Sequence, residues 1–199
     1  MNRKLKHNQL LVYDLELTCW ENHLPDGSLD KSPPEGMENE IIQFGYVIVD
    51  MKTKNIVEKD SWIIKPKKST ISDFCEKLTG ISQDRVDNEG ISFEKFRKII
   101  SQKGWKYIPN MSWGYGDYFI LKEHCDKRNL DFPLSKAHNC AKVMFGLWTG
   151  RSKGWGVKRA IDRLGLEFEG DQHDAMWDAY NTALILLNSI FKEKDQSQR

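Results

Sequence analysis

Two carboxylates, Asp14 and Glu16, stand two residues apart in "LLVYDLELTC" (residues 10–19), a stretch whose other residues read as a buried strand. Side chains alternate across a strand, so both acids project from one face. Like charges on one face repel each other and resist burial unless something positive lies between them. Two readings stand at this point: an edge strand with one wet face, or a pair of ligands for a bound cation. More acids follow along the chain. Asp117 in "SWGYGDYFILKEH" comes just after an expected strand and at the start of a helix, where an aspartate commonly serves as a cap. His173 and Asp178 lie in "GDQHDAMWDAYNTALILL". Five helical residues turn through about 140°, so these two do not share a helix face. They converge if His173 belongs to the loop before the helix and Asp174 begins it. Asp178 then sits among Ala175, Ala179 and Ala183, small neighbours that leave room for something to approach. By itself, His173 reads as an ordinary loop histidine.

The elements that must position these groups follow from pattern. Residues 10–18 form a first strand, followed by the Pro-, Gly- and Asn-rich "ENHLPDGSLDKSPPEGMEN", a loop. "EIIQFGYVIVD" (40–50) and "IVEKDSWIIKP" (56–66) make a hairpin, so the chain opens with a three-stranded antiparallel unit. Ser72 caps a helix over "DFCEKLTG" that Gly80 closes, and Ser92 caps "FEKFRKII", whose Phe93, Phe96, Ile99 and Ile100 fall at helical spacing. "WKYIPNMSW" (105–113) reads as a fourth strand, "DYFILKEHCDKRN" and "GVKRAIDRLGL" as helices, and residues 175–190 as a last helix with one apolar stripe. Strands first, then alternating strand and helix, give an α/β fold with a mixed central sheet flanked by helices.

At 199 residues, with 39% hydrophobic and 30% charged residues, the chain suits one soluble globular domain and is short for two. The ends, 1–8 and 194–199, are expected to be flexible. No apolar run approaches the roughly 20 residues that span a bilayer, which excludes an integral helical membrane protein. "MNRKLKHNQLL" lacks the apolar core of a secretory signal. Cys19, Cys75, Cys125 and Cys140 are scattered without a C-x-x-C pair, which suits reduced thiols in a cytoplasm. A net charge of +1 says nothing about polyanions. Local basic clusters exist at Lys65, Lys67 and Lys68, and in "RSKGWGVKR" (151–159).

Taken together, Asp14, Glu16, Asp117 and Asp178 with His173 resemble the ordered signature of the DEDDh exonucleases, also called DnaQ-like or RNase T-like. That signature is D-x-E on the first strand, a middle aspartate, then H-x-x-x-x-D near the end. "DLELTC", "EIIQFGYVIVD" and above all "ISDFCEKLTGISQDRVDN" are similar to the Eri-like and KapD-like branch. The resemblance implies an RNase H-like fold and a metal-dependent 3′-to-5′ exonuclease. Its substrate would be the 3′ end of single-stranded nucleic acid, RNA favoured over DNA, and its products nucleoside 5′-monophosphates. It implies two Mg²⁺ ions, for which Mn²⁺ can substitute, held by Asp14, Glu16, Asp117 and Asp178, with His173 as general base. The same resemblance places Leu17, Thr18, Leu78 and Thr79 beside the terminal nucleotides. Trp113 is either a stacking platform for a base or plain core. Two departures stand out: Leu17 replaces the small alanine usual in that branch, and "WGYGD" differs from the usual approach to the middle aspartate. A DNA-directed enzyme of the same chemistry, or a silent binding domain of the same fold, is the alternative.

Overall fold

The computed structural model describes residues 8–24, 28–151 and 153–192; the ends expected to be flexible lie outside them, Asn8 apart. In chain order the elements are β1 (Gln9–Leu17), β2 (Asn22–His23), β3 (Leu29–Asp30), β4 (Ile41–Asp50), β5 (Asn55–Ile63), α1 (Asp73–Thr79), α2 (Gln83–Glu89) and α3 (Phe93–Lys103). After a short 3-10 turn at Trp105–Tyr107 come β6 (Asn110–Ser112), α4 (Gly116–Asp126), β7 (His138–Cys140), α5 (Ala141–Thr149), α6 (Val157–Arg163) and α7 (Ala175–Asn188). Among the described residues no helix is long and apolar enough to cross a membrane.

The main sheet has the order β5-β4-β1-β6-β7. β4 is antiparallel to both β1 and β5, whereas β6 runs parallel to β1 and β7 parallel to β6. The sheet is therefore mixed, and the antiparallel start read from the sequence is its first half. β1 lies at the centre and is covered on both sides, which its apolar residues on both faces require. Leu11, Tyr13 and Leu15 pack with Phe44, Tyr46 and the α3 residues Phe93, Phe96 and Ile100. Leu10 and Val12 pack on the other face with Val47, Val49, and the α7 residues Ala179, Ala183 and Leu186. Asp14 and Glu16 continue this second row, so the alternation of the strand aims both at the α7 side.

What lets α7 come that close is a missing side chain. Gly45 pairs with Asp14 across the β1–β4 ladder. A Cβ at Gly45 would lie 2.1 Å from the backbone of Ala175 and Met176. Glu16 pairs with Gln43, whose buried side-chain carbonyl accepts the Ala175 N–H at 3.0 Å and whose amide donates to Asp174 Oδ2 at 3.1 Å. The two β4 residues facing the acids are thus the two on which the start of α7 is seated. Beyond Glu16 the ladder shifts register: Leu17 pairs with Ile41, so Ile42 is skipped at this point.

Several short elements differ from the sequence reading. The loop over 21–39 contains the small β2–β3 pair. The strand expected over 105–113 shrinks to β6, because the left-handed Gly104 starts a 3-10 turn that sends Trp105 into the core. α2, β7 and α5 were not read from the pattern, although Ser82 caps α2 as Ser72 and Ser92 cap α1 and α3.

Gly45→Ala should destabilise the protein by about 1–3 kcal/mol or more, since backbone rather than a flexible side chain must yield. Urea unfolding measures this, and a loss no larger than that of a surface Ala substitution would contradict the seating of α7 on β4.

Candidate active site

Asp14 and Glu16 end the central strand, and α7 brings the next two groups to them. Asp174 caps α7, its carboxylate accepting the Met176 and Trp177 N–H groups at 3.0 and 3.2 Å. Asp178 follows one turn later. His173 stands outside the helix with φ +63°, a left-handed conformation uncommon for a residue with a side chain. In that conformation its N–H donates to Asp178 Oδ2 at 3.0 Å. The sequence condition for convergence, a histidine before the helix and Asp174 at its start, is the observed arrangement. The loop ahead of His173 is tied down as well. Buried Asn181 donates to the carbonyls of Glu169 and Trp177 at 2.8 Å and accepts the Glu169 N–H at 3.0 Å. Gly170 lies against the ring of Trp177, where a Cβ would meet it at 2.1 Å.

The outcome is a tight group. Glu16, His173 and Asp178 each offer a ligand atom within 4.8 Å of the others'. Asp14 and Asp117 lie outside that trio but within its electrostatic reach. Asp117 is in the first turn of α4, where the cap position belongs to Tyr115, so it is not a capping residue. Burial pushes the carboxyl of Asp14 far above the usual range, and the charges of Asp117, Asp178 and Glu16 push it further. Burial, then Asp178 and Cys75, raise Glu16 to about 9. Burial raises Asp117 to about 6 against an opposing hydrogen bond from Ser112. Burial also raises Asp178, against the His173 N–H that lowers it. Cys75 itself is drawn down to about 7 by a hydrogen bond from the Cys19 thiol.

Among the described residues, none of the lysine and arginine ion pairs reaches any of these four carboxylates. Half-buried acids crowded together without a cationic side chain fit a divalent cation, and hard carboxylate oxygens are the donors that Mg²⁺ or Mn²⁺ takes. The residues present therefore fit such a group.

The expected substrate contacts divide. Leu78 is 37% exposed and Leu17 half-buried, so both keep surface open, and α1, which carries Leu78, meets the end of β1 where Cys75 Sγ donates to the Leu17 carbonyl at 3.4 Å. Thr18 and Thr79 are instead buried joints. The Thr18 hydroxyl donates to the Glu38 carbonyl and accepts the Glu40 N–H, and its own N–H and C=O are taken by Glu40 and Asn39. The Thr79 hydroxyl donates to the Cys75 carbonyl and accepts the Ile81 N–H, which finishes α1. Trp113 is core: it packs on Phe145, and its ring N–H donates to the Trp155 carbonyl at 3.2 Å, so no face is left for a base. The basic segment 151–159 likewise turns Trp155 inward. Gln43, Gly45 and Asn181 support the site without belonging to any sequence motif for it. A lone glutamine and a glycine inside the apolar run "IIQFGYVIV" were the available signal.

Residues 11–186 match the RNase_T exonuclease family, and the chain belongs to it. Within that family it is a DEDDh 3′-5′ exonuclease of the Eri and KapD-like branch, with the RNase H-like fold. It is 29% identical over 194 residues to "Probable 3'-5' exonuclease KapD" of Bacillus subtilis, covering 96% of this chain and 89% of that protein. To "3'-5' exoribonuclease 1" of Homo sapiens it is 26% identical over 92% of this chain, which spans only 53% of the human protein. Among solved structures, the nuclease domain of 3'hExo, a DEDDh family member bound to rAMP, superposes with a TM-score of 0.72 at 23% identity, covering 91% of this chain and 90% of that one.

Raised carboxyl pKa values have a definite sign in stability. The folded, metal-free protein holds protons on Glu16 and Asp117 that the unfolded chain releases. The stability they contribute is complete below the ordinary values of 4.5 and 3.8 and is lost as pH rises through about 9 and about 6. In EDTA, Tm should therefore fall from about pH 5 to about pH 9, and Glu16→Gln should flatten the fall and be the more stable protein at its alkaline end. A wild-type Tm that rises across this window would contradict the assignment.

Proposed function

We propose that residues 1–199 act as one metal-dependent exonuclease domain that removes nucleotides from the 3′ end of single-stranded nucleic acid, RNA in preference to DNA, as nucleoside 5′-monophosphates. The observation that carries this reading is the meeting of Glu16, His173 and Asp178 within 4.8 Å beside Asp14 and Asp117, in a chain of the exonuclease family. Asp14, whose carboxyl feels the charges of Asp117, Asp178 and Glu16, would be the shared ligand of two Mg²⁺ ions, with Glu16 and Asp178 completing one site and Asp117 supporting the second. When bound, the ions neutralise the phosphate and the developing charge on the attacking and leaving oxygens.

The protein's own part is proton transfer and positioning. His173 is solvent-exposed, so a water can stand against its ring, and it removes that water's proton as the phosphorus is attacked. Its backbone N–H donates to Asp178, so the carboxylate that would hold the cation also fixes the backbone from which the ring projects. Glu16 accepts a hydrogen bond from the terminal 3′ hydroxyl, which confines the reaction to chain ends. Leu17 and Leu78 offer apolar surface to the terminal nucleotide, and the size of Leu17 narrows that space. RNA is favoured because the human relative is named an exoribonuclease and the 3'hExo domain holds rAMP. The spacing of the cysteines supports a cytoplasmic setting.

Single-stranded RNA and DNA oligomers labelled at the 5′ end test this directly. The expected result is a ladder shortening from the 3′ end in Mg²⁺, absent in EDTA and with Asp14→Asn, and faster on RNA. His173→Ala should cost ~10²–10⁴ in rate. Equal or faster DNA digestion would reverse the substrate preference. No cleavage of either polymer in Mg²⁺ or Mn²⁺ would leave a silent binding domain.

A further inference from the structure

Cys19 and Cys75, from the motifs "DLELTC" and "SDFC", have no part in that reaction, yet the fold joins them. The Ser72 hydroxyl donates to the Cys19 carbonyl at 2.6 Å and accepts the Cys75 N–H at 3.0 Å, so one side chain holds both cysteine backbones. The Cys19 side chain packs against the small core of Ile42, Ile63, Cys75, Ile81 and Val86, in which Cys75 is the other sulfur. Cys75 Sγ also lies 3.4 Å from the Leu17 carbonyl, which accepts from it. Cys19 is half-buried and meets solvent, whereas Cys75 is buried behind it. Cys125 and Cys140 are both buried, Cys125 in the core between the sheet and α3 and Cys140 at the start of α5.

We propose that Cys19 and Cys75 are an oxidisable dithiol that closes to a disulfide under peroxide and thereby restrains the exonuclease. Cys75 is the more acidic thiol but is buried, so Cys19, the outer member, is the one peroxide reaches. Its sulfur attacks the peroxide as its own proton passes to the leaving oxygen, the O–O bond breaks, and a sulfenic acid and one water form. The Cys75 sulfur then attacks the Cys19 sulfur. The S–S bond forms, the S–O bond breaks, and the hydroxyl leaves as a second water with the Cys75 proton. Two thiols have lost two electrons to the peroxide, and a thiol reductant reverses the change. The cross-link replaces the Cys75 hydrogen bond to the Leu17 carbonyl and ties the exit of β1 to α1. Those segments carry Leu17 and Leu78 and follow directly on Glu16, so the region that receives the 3′ end loses its freedom to adjust. A reversible bond of this kind suits a protein whose thiols are otherwise kept reduced.

Formation of the bond is independent of the exonuclease reading, and only its effect on turnover rests on it. The test treats the reduced full chain with a small excess of hydrogen peroxide, alkylates the remaining thiols and maps the unreduced peptides by mass spectrometry. In parallel, turnover of 5′-labelled single-stranded RNA in Mg²⁺ is measured before oxidation, after it, and after dithiothreitol. The expected result is a 19–75 linked peptide with Cys125 and Cys140 alkylated, and turnover that falls several-fold and recovers on reduction. Cys19→Ser should be as active as the reduced wild type and insensitive to peroxide. An active enzyme with no 19–75 link, or with the link and unchanged turnover, would overturn the proposal. A reduced wild type without nuclease activity would instead overturn the exonuclease reading, and the peptide map tells the two failures apart.

Discussion

The seating of α7 on β4 is the contact on which the rest of the site depends. Helices normally stand off a sheet by the depth of the side chains packed between them. At Gly45 there is no Cβ, and the first peptides of α7 occupy its place. Beside it, Gln43 spends its buried amide on Asp174 and the Ala175 N–H instead of on solvent. A buried amide left unpaired costs about 1–3 kcal/mol, so these bonds fix the helix start as well as fill the gap. Because Gly45 and Gln43 are also the ladder partners of Asp14 and Glu16, the helix cannot be seated without bringing Asp178 and His173 against the strand acids.

That seating works against electrostatics. Each acid is raised first by burial and then mainly by other acids, and no lysine or arginine among the described ion pairs answers them. The buried carboxylate of Glu40 shows the contrast. It accepts three backbone N–H groups, from Lys67, Lys68 and Ser69, at 2.7–2.8 Å and has Arg128 beside it. The fold thus has the means to neutralise a buried acid with its own groups, and at Glu40 it uses them to fix the strap that leads into α1. At the Asp14 cluster it offers no lysine or arginine among the described ion pairs and only single hydrogen bonds, from Ser112 to Asp117 and from the His173 N–H to Asp178, and burial still raises every one of these carboxyls. The difference separates an acid used as a structural tie from acids kept for an incoming cation.

Much of this was legible in the sequence, and the physical reasons are specific. A period of two places Asp14 and Glu16 on one face whatever covers it, and the alanine stripe of the last helix announces a close approach. The spacing of His173 and Asp178 could be reconciled only by a non-helical histidine, and the left-handed φ of His173 meets that condition. What was not legible depends on tertiary partners. The hydroxyls of Thr18 and Thr79 pair with chain segments far away or one turn back, and nothing local distinguishes that from a free hydroxyl. Whether Trp113 is core or surface depends on what covers it, and Phe145 of α5 and the Trp155 carbonyl do. Helix α5 carries no local start signal, since "AKVMFGLWT" follows β7 with no side-chain cap.

The central claim is that the carboxylates are held together, partly protonated, for a divalent cation. Calorimetric titration of the metal-free protein with Mn²⁺ near neutral pH, in two buffers of different ionisation enthalpy, measures it most directly. Since Glu16 is raised to about 9, binding should expel at least about one proton, and Glu16→Gln should reduce that release. Binding without proton release, or no binding at all, would contradict the account.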